Sequence, residues 1–265
     1  MRTLLINLDQ SIDRLAKQQE QFEQLGLSFE RFPAVSIKDF SEDEYKALAF
    51  FGQRPLKQSE LACFLSHKKA WEYVIHLNEP CVVLEDDAVL VKNFKKVLDE
   101  VSQLKSIDFL NLEVHGRKKI VSKESKFRLN QSDFDVFRLY QDRSGTGGYI
   151  IFPSGAKKLL DYLRVRPIGL ADEFIYSCSL LEAYQIEPAA LLQSDKCQDY
   201  NIHTNIPYQS VIGLVKNNID FNLSSTKKLG FRSRRIKRQI QLGFLSVKNI
   251  LKGVKREINV NENLF

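Results

Sequence analysis

Cys81-Val82-Val83-Leu84-Glu85-Asp86-Asp87 is the stretch that decides the fold class. Its apolar run follows a break at Asn78-Glu79-Pro80 and fits a short strand buried on both faces, as strands of parallel sheets are. Three acids follow at once. Neighbouring carboxylates repel one another, so such a triplet is tolerable in open solvent or around a cation. In open α/β sheets, ligands sit beyond the carboxyl ends of the strands. The triplet is therefore either a solvated turn or a cation site, and by itself it leaves both open.

Upstream, residues 3–8 form an apolar run bounded by Asp9 and Ser11, which predicts a first buried strand. Ser11 is placed to cap a helix to about residue 25, with Gly26 as its stop, and residues 27–34 alternate as a second strand. Strand, helix, strand at this spacing predicts a βαβ start and an α/β fold. Residues 41–51 read as a polar-faced helix, broken at Arg54-Pro55. Ser59 is the expected cap of a strong helix over 60–77, with Leu61, Phe64, Leu65, Trp71, Val74 and Ile75 toward the core. Trp71 fits the core better than a sugar platform. Downstream, the pattern predicts a helix over 93–104, strands over 109–114 and 134–140, and an irregular Lys-rich excursion over 115–132. A flexible turn over 144–148, a strand over 149–152, a helix from Pro153 to about residue 164, a helix over 172–184 and a strand over 186–192 complete it.

The chain has 265 residues, 43% of them hydrophobic, enough for one sizeable core or one domain with an appendage. No run of about 18 apolar residues occurs, so no spanning helix is expected. An acid at position 9 argues against a secretory signal and for a cytoplasmic protein. Cysteines at 63, 81, 178 and 197 lack metal-finger or redox spacing, and Cys63 and Cys81 read as small core residues. The net charge of +6 is unevenly spread: residues 226–256 hold eleven Lys/Arg and no acid, while the remainder carries 28 basic and 33 acidic residues. A uniformly basic nucleic-acid binder is not patterned this way, and no nucleic-acid partner is expected. Within the tail, Ile236, Ile240, Phe244, Val247, Leu251, Val254 and Ile258 step by three or four, predicting an amphipathic helix with its basic residues largely off the stripe. Gly243 and Gly253 would each weaken it by about 1 kcal/mol.

Two further motifs carry possible chemistry. In Gly145-Thr146-Gly147-Gly148-Tyr149-Ile150-Ile151 the glycines permit close approach of a ligand to the backbone, or equally a plain hairpin turn. The spacings and lysine of a phosphate-binding loop are absent. Gly169-Leu170-Ala171-Asp172-Glu173-Phe174 places two acids at a helix start, where the dipole favours their ionised form. An ionised carboxylate there could deprotonate a hydroxyl, and ordinary capping is the alternative. Histidines occur only at 67, 76, 115 and 203, and no Ser/His/Asp or Cys/His order points to a hydrolase.

Order gives these signals weight. Ile6-Asn7-Leu8-Asp9, Asp13-Arg14, Phe32-Pro33-Ala34-Val35, Ser59-Glu60-Leu61-Ala62-Cys63-Phe64-Leu65-Ser66-His67, Leu84-Glu85-Asp86-Asp87-Ala88, Gly145-Thr146-Gly147-Gly148-Tyr149 and Gly155-Ala156-Lys157-Lys158-Leu159 together resemble glycosyltransferase family 25, the lipooligosaccharide galactosyltransferases and their relatives. The resemblance spans residues 2–205 and excludes the tail. It implies a GT-A type, Rossmann-like fold over residues 1–225, with a nucleotide half (1–105) and an acceptor half (106–225), followed by a basic helical tail (226–265). It implies an inverting transferase using a UDP-hexose, galactose before glucose, with Mn²⁺ or Mg²⁺. Glu85-Asp86-Asp87 stands where that fold keeps its Asp-x-Asp metal motif, although the first position here is Glu. By the same resemblance Asp87 is the first-choice metal ligand, with Glu85 near the ribose or a metal-bound water and His203 as the late histidine of the metal shell. Asn7, Leu8 and Arg14 would lie near the uridine, Ala34 and Val35 beside the base, and Ser66, His67 and Lys68 near ribose or phosphate. Asp86 belongs to the same nucleotide-binding motif. Gly147, Gly148 and Tyr149 would line the donor sugar and acceptor, and Asp172 would be the base with Glu173 as the alternative. The expected partners are a UDP-sugar, a lipooligosaccharide acceptor and, through the tail, the inner face of the cytoplasmic membrane. A helix docked on its own domain or pairing subunits is the other reading of the tail. Rival functions are a collagen-type hydroxylysine galactosyltransferase relative, and a catalytically inactive member acting as a membrane-associated scaffold or glycan-binding module.

Overall fold

A computed structural model describes residues 1–142, 145–206 and 225–265. Its N-terminal third is the expected βαβ unit. β1 (Arg2–Asn7), α1 (Ile12–Gln24) and β2 (Glu30–Pro33) follow in order, and Gly26 takes the left-handed conformation (φ +61°) just past the helix. β1 pairs in parallel with β2 and with β3 (Cys81–Glu85), so the carboxyl ends of β1 and β3 open on the same edge. Between β2 and β3 lie α2 (Glu42–Ala49) and α3 (Gln58–Leu77). Lys57, not Ser59, caps α3, because the Glu60 side chain reaches back to the Lys57 N–H (2.8 Å).

The sheet then turns mixed. β4 (Ala88–Leu90), α4 (Phe94–Val101), β5 (Phe109–Asn111), β6 (Lys119–Val121), β7 (Phe127–Leu129), β8 (Phe134–Gln141) and β9 (Gly148–Ile151) follow. After them come α5 (Pro153–Leu163), α6 (Ala171–Ser177), β10 (Ala183–Glu187), β11 (Leu191–Gln193), α7 (Ser225–Ile250) and β12 (Val254–Arg256). β9 runs antiparallel between β3 and β5, and β10 is parallel to β5 and antiparallel to β8. The ten-stranded sheet has the order β12-β6-β8-β10-β5-β9-β3-β1-β2, with β7 on β8, and β4 and β11 form a small ladder of their own. β3 shows why its sequence reads as an unbroken apolar run: Cys81 and Val83 face one core with Trp71 and Phe174, and Val82 and Leu84 face the other with Phe22 and Phe94.

Four expectations change. Residues 115–132 are not irregular, since β6 and β7 lie within them. A charged residue hid β6: Lys119 is fully buried, and its Nζ meets Asp142 Oδ2 at 2.7 Å. The helix predicted over 172–184 ends at Ser177, and the strand over 186–192 divides at Pro188 into β10 and β11. The tail is not one helix to residue 258. α7 ends at Ile250, and β12 pairs antiparallel with β6, which buries Ile258 against the body. Gly253 sits where its Cα approaches the Val121 carbonyl too closely for any Cβ, so it serves strand pairing rather than weakening a helix.

Candidate active site

The site is built on the open edge formed by β1 and β3. Asn7, the last residue of β1, donates Nδ2–H to Asp86 Oδ2 (2.8 Å), and Arg14, from the first turn of α1, pairs with Asp86 Oδ1 (2.7 Å). Asp86 is thus spent on tying strand to helix. Glu85 accepts from Thr146 Oγ1 (3.0 Å) and lies 3.2 Å from His67 Nε2. The tautomer of His67 follows from its other neighbour. The buried Tyr149 hydroxyl accepts the Trp71 indole N–H (3.0 Å) and lies 2.9 Å from His67 Nδ1. Donating its own proton to Nδ1 satisfies that hydroxyl and leaves the imidazole proton on Nε2, directed at Glu85. Burial pushes the Glu85 carboxyl up, but hydrogen bonds from His67 and Thr146 outweigh it and hold the group below its ordinary range.

Asp87 is the odd member of the triplet. Its Oδ1 is buried with no hydrogen-bond partner among the described residues. Burial, then the charges of Glu85 and Asp86, push its carboxyl up to about 8. An orphaned carboxylate oxygen beside an ionised Glu85 is a position a divalent cation would satisfy, and all-oxygen donors suit Mn²⁺ or Mg²⁺. A second donor set lies close by: Cys63 Sγ, a His67 ring nitrogen and a Glu85 oxygen all fall within 4.8 Å of one another. Its sulfur is a poor candidate, because burial raises the Cys63 thiol well above its ordinary range, and both His67 nitrogens already have partners. Glu85 and Asp87 are therefore the residues that fit a hard cation.

Three cavities run in a row from this point. The first, of about 480 Å³, has Leu8, Arg14, Ala34, Val35 and Ser66 in its wall, and the Ser66 hydroxyl accepts the Val35 N–H (2.8 Å). Glu85, Asp86, Asp87 and His67 also line it. The second, of about 350 Å³, shares Glu85, Asp87 and Cys63 with the first and reaches Asp172. Cys63 packs against the core as expected and also forms wall at the junction of the two cavities. The third, of about 570 Å³, shares Asp172 and is closed by α7. The two predicted bases separate here. Glu173 accepts from Gln53 Nε2 (2.6 Å) and lies 3.4 Å from Arg238 Nε. Among the described residues, Asp172 has only the Glu173 backbone N–H on its Oδ1 (2.6 Å). The helix start does not keep Asp172 at an ordinary value: burial outweighs that N–H and, with nearby Glu173, Asp142 and Glu85, pushes its carboxyl up to about 6.

Other predicted residues do not converge. Lys68 points outward to Glu72 (2.6 Å). His203 is exposed and lines none of the three cavities. Gly147, Gly148 and Tyr149 stand behind the cavity wall, where Tyr149 props His67. The glycines answer to packing: a Cβ on Gly147 would meet Gln193 at 2.7 Å, and one on Gly148 would overlap Leu191 and Leu84.

Several site residues went unread in the sequence. Asp195 lines the second cavity and adds negative charge at Asp87. It arrives there because β11 pairs with β4, Gln193 opposite Ala88, and the Ser194 N–H reaches the Asp87 carbonyl (2.9 Å). Glu113, fully buried, accepts the Gly147 N–H at Oε1 (2.7 Å) and leaves Oε2 without a partner among the described residues. His115 also lines the second cavity, and burial, with the nearby Lys196 charge, pushes its imidazole below its ordinary range.

Residues 1–175 match the model of glycosyltransferase family 25, described as an LPS biosynthesis protein family. A glycosyltransferase 25 family member of Aedes aegypti is 31% identical over 185 residues, covering 64% of this chain and 30% of the mosquito protein. The lacto-N-neotetraose biosynthesis glycosyltransferase LgtE of Neisseria gonorrhoeae is 26% identical over 209 residues, covering 73% of this chain and 74% of that protein. Procollagen galactosyltransferase 2 of Homo sapiens is 28% identical over 194 residues, covering 64% of this chain and 29% of the human protein. The chain thus spans about a third of the length of the animal relatives it matches.

Proposed function

The chain belongs to glycosyltransferase family 25, and from that premise we propose that it transfers a hexose, galactose before glucose, from a UDP-hexose to a lipooligosaccharide acceptor by single displacement in a GT-A type site. The observation that carries this reading is the row of cavities, with Asp87 at one junction and Asp172 at the other. Uridine lies in the first cavity, whose wall combines apolar Ala34 and Val35 with Arg14. The sugar lies in the second, between the acidic triplet and Asp172. Asp172 takes the proton of the acceptor hydroxyl as that oxygen attacks the anomeric carbon, and the bond from that carbon to the diphosphate breaks with UDP leaving on the opposite face. A carboxyl pushed up to about 6 is ionised at neutral pH yet a better base than an ordinary aspartate. Glu85 and Asp87, with Asp195 as a further oxygen donor, would hold a divalent cation, which would supply Lewis-acid stabilisation of the diphosphate when bound. His67, locked by Tyr149 and Trp71, holds Glu85 in place. The human relative carries a galactosyltransferase name and the gonococcal relative a glycan-biosynthesis name, which supports galactose as the sugar and a bacterial glycan as the acceptor.

The test is UDP release by purified protein from UDP-galactose and UDP-glucose offered separately, with and without Mn²⁺, and with a truncated lipooligosaccharide acceptor. Metal-dependent release from one donor, lost in Asp87→Ala, is the expected result. A folded protein that binds neither UDP nor either donor would overturn the proposal.

A further inference from the structure

α7 is mounted inside out. A helix packed on a globular body normally buries its apolar stripe and shows its polar side to water. Here the polar side is the one held. Arg238 is buried against Glu173 and Ser177, Ser246 Oγ donates to Gln141 Oε1 (3.0 Å), and Asn249 Nδ2 donates to the Tyr140 carbonyl (3.0 Å). Phe231 is buried and Leu242 half-buried on that held side, but the apolar stripe itself faces away. Ile236 is 49% exposed, Ile240 55%, Phe244 75% and Val247 65%, with Leu251, just past the helix end, at 82%. At about 100° per residue these five fall within an arc of roughly 80°. The same geometry sets Lys237 and Lys248 along one border of the arc and Arg232 along the other, all exposed. No acid occurs anywhere from residue 226 to residue 256.

We propose that this face of α7 is a docking surface for an anionic lipid bilayer, with Ile236, Ile240, Phe244, Val247 and Leu251 entering the interface and Lys237, Lys248 and Arg232 meeting lipid phosphates. Contiguous exposed apolar side chains are costly on a monomer unless something covers them. A bilayer with anionic headgroups matches both the apolar stripe and its acid-free basic rim. A second copy of the chain, related by a two-fold axis, would instead bring the two basic rims together without an acid to receive them. The arrangement also has a geometric consequence: the opposite side of α7 closes the cavity that contains Asp172, through Arg238, Leu242 and Asn249. A protein lying on the bilayer by α7 therefore keeps that cavity within one helix diameter of the lipid. The inference does not depend on the transferase reading, because lipid binding is read without donor or acceptor.

The experiment is sedimentation of the full chain with vesicles of phosphatidylcholine alone and of phosphatidylcholine with phosphatidylglycerol, at low and high salt. The wild-type protein sediments with the anionic vesicles, and high salt weakens this. The double variant Phe244→Ser/Val247→Ser keeps its circular dichroism and melting profile and binds at least about tenfold more weakly. Lys237→Glu/Lys248→Glu loses the preference for anionic vesicles. Failure of the wild-type chain to bind anionic vesicles, or unchanged binding by the Phe244/Val247 variant, overturns the proposal. So does a dimer in sedimentation equilibrium that the same variant dissolves while vesicles capture nothing, which would assign the face to a second copy.

Discussion

Asp172 and Glu173 are neighbours in sequence with opposite fates, and partners decide between them. Gln53 and Arg238 occupy Glu173, whereas Asp172 faces two cavities with one backbone N–H on it. Asp172→Asn should therefore lower kcat by about 10²- to 10⁴-fold, and Glu173→Gln by far less, in a UDP-release assay. The wild-type rate should fall as pH drops through about 6, the value to which burial pushes the Asp172 carboxyl. Stability runs the other way. Because the folded state binds this proton more tightly than the unfolded chain, the Asp172 contribution is fully present below about 4 and is lost as pH rises through about 6. Asp172→Asn removes that loss, so its melting temperature relative to wild type should rise between about pH 4 and about pH 7 and stay level above that. The buried pair of Lys119 and Asp142 predicts the reverse. Lys119→Met removes the buried ammonium that meets Asp142, Gln185 and the Glu113 carbonyl, and should cost about 3–5 kcal/mol in denaturant unfolding. Residue identity in the triplet was legible from Glu85-Asp86-Asp87 alone, but its division of labour was not. That Asp86 serves Arg14 and Asn7 while Asp87 keeps an orphan oxygen depends on contacts 72 and 79 residues apart in sequence.

At the scale of elements, the parallel half was readable and the mixed half only in part: β5, β8, β9 and α5 fall where the pattern places them, while β6, β7 and β12 were hidden. β1 and β3 announce themselves through unbroken apolar runs because both their faces are buried, β2 through the alternation of a half-exposed edge strand, and α1 through its Gly stop. β6 carries Lys119 and β12 carries Lys255 and Arg256, so charge masked the alternation that marks a strand. α6 ended earlier than its pattern because β10 recruits residues 183–187 between β5 and β8. The glycine segment was open in sequence to a ligand-approach loop or a plain turn; Gly145 and Thr146 line the second cavity, while Gly147 and Gly148 are packed against Gln193, Leu191 and Leu84. A Cβ on Gly148 would press on Leu191 and Leu84, so Gly148→Ala should cost about 1–3 kcal/mol in thermal or denaturant unfolding. It should also loosen Tyr149, and through it His67 and Glu85, which would appear as weaker metal dependence in the UDP-release assay.

At the scale of the molecule, the tail is part of the body at its far end and a separate surface along α7. Beyond β12, the Asn259 carbonyl accepts the Ala189 N–H (2.8 Å), and the Leu264 carbonyl accepts the Lys92 N–H (2.7 Å). Arg256 forms two hydrogen bonds to the Glu187 carboxylate. Removing residues 254–265 should therefore lower the melting temperature, where a free tail would leave it unchanged. No helix among the described residues is long and apolar enough to cross a membrane. The edge of β1 and β3 is proposed to bind a uridine diphosphate with a divalent ion at Asp87, and the decisive measurement is calorimetric titration of UDP into the full chain, with and without Mn²⁺. UDP should bind, Mn²⁺ should strengthen that binding, and the gain from Mn²⁺ should disappear in Asp87→Asn. A folded protein giving no UDP binding in either condition would contradict it.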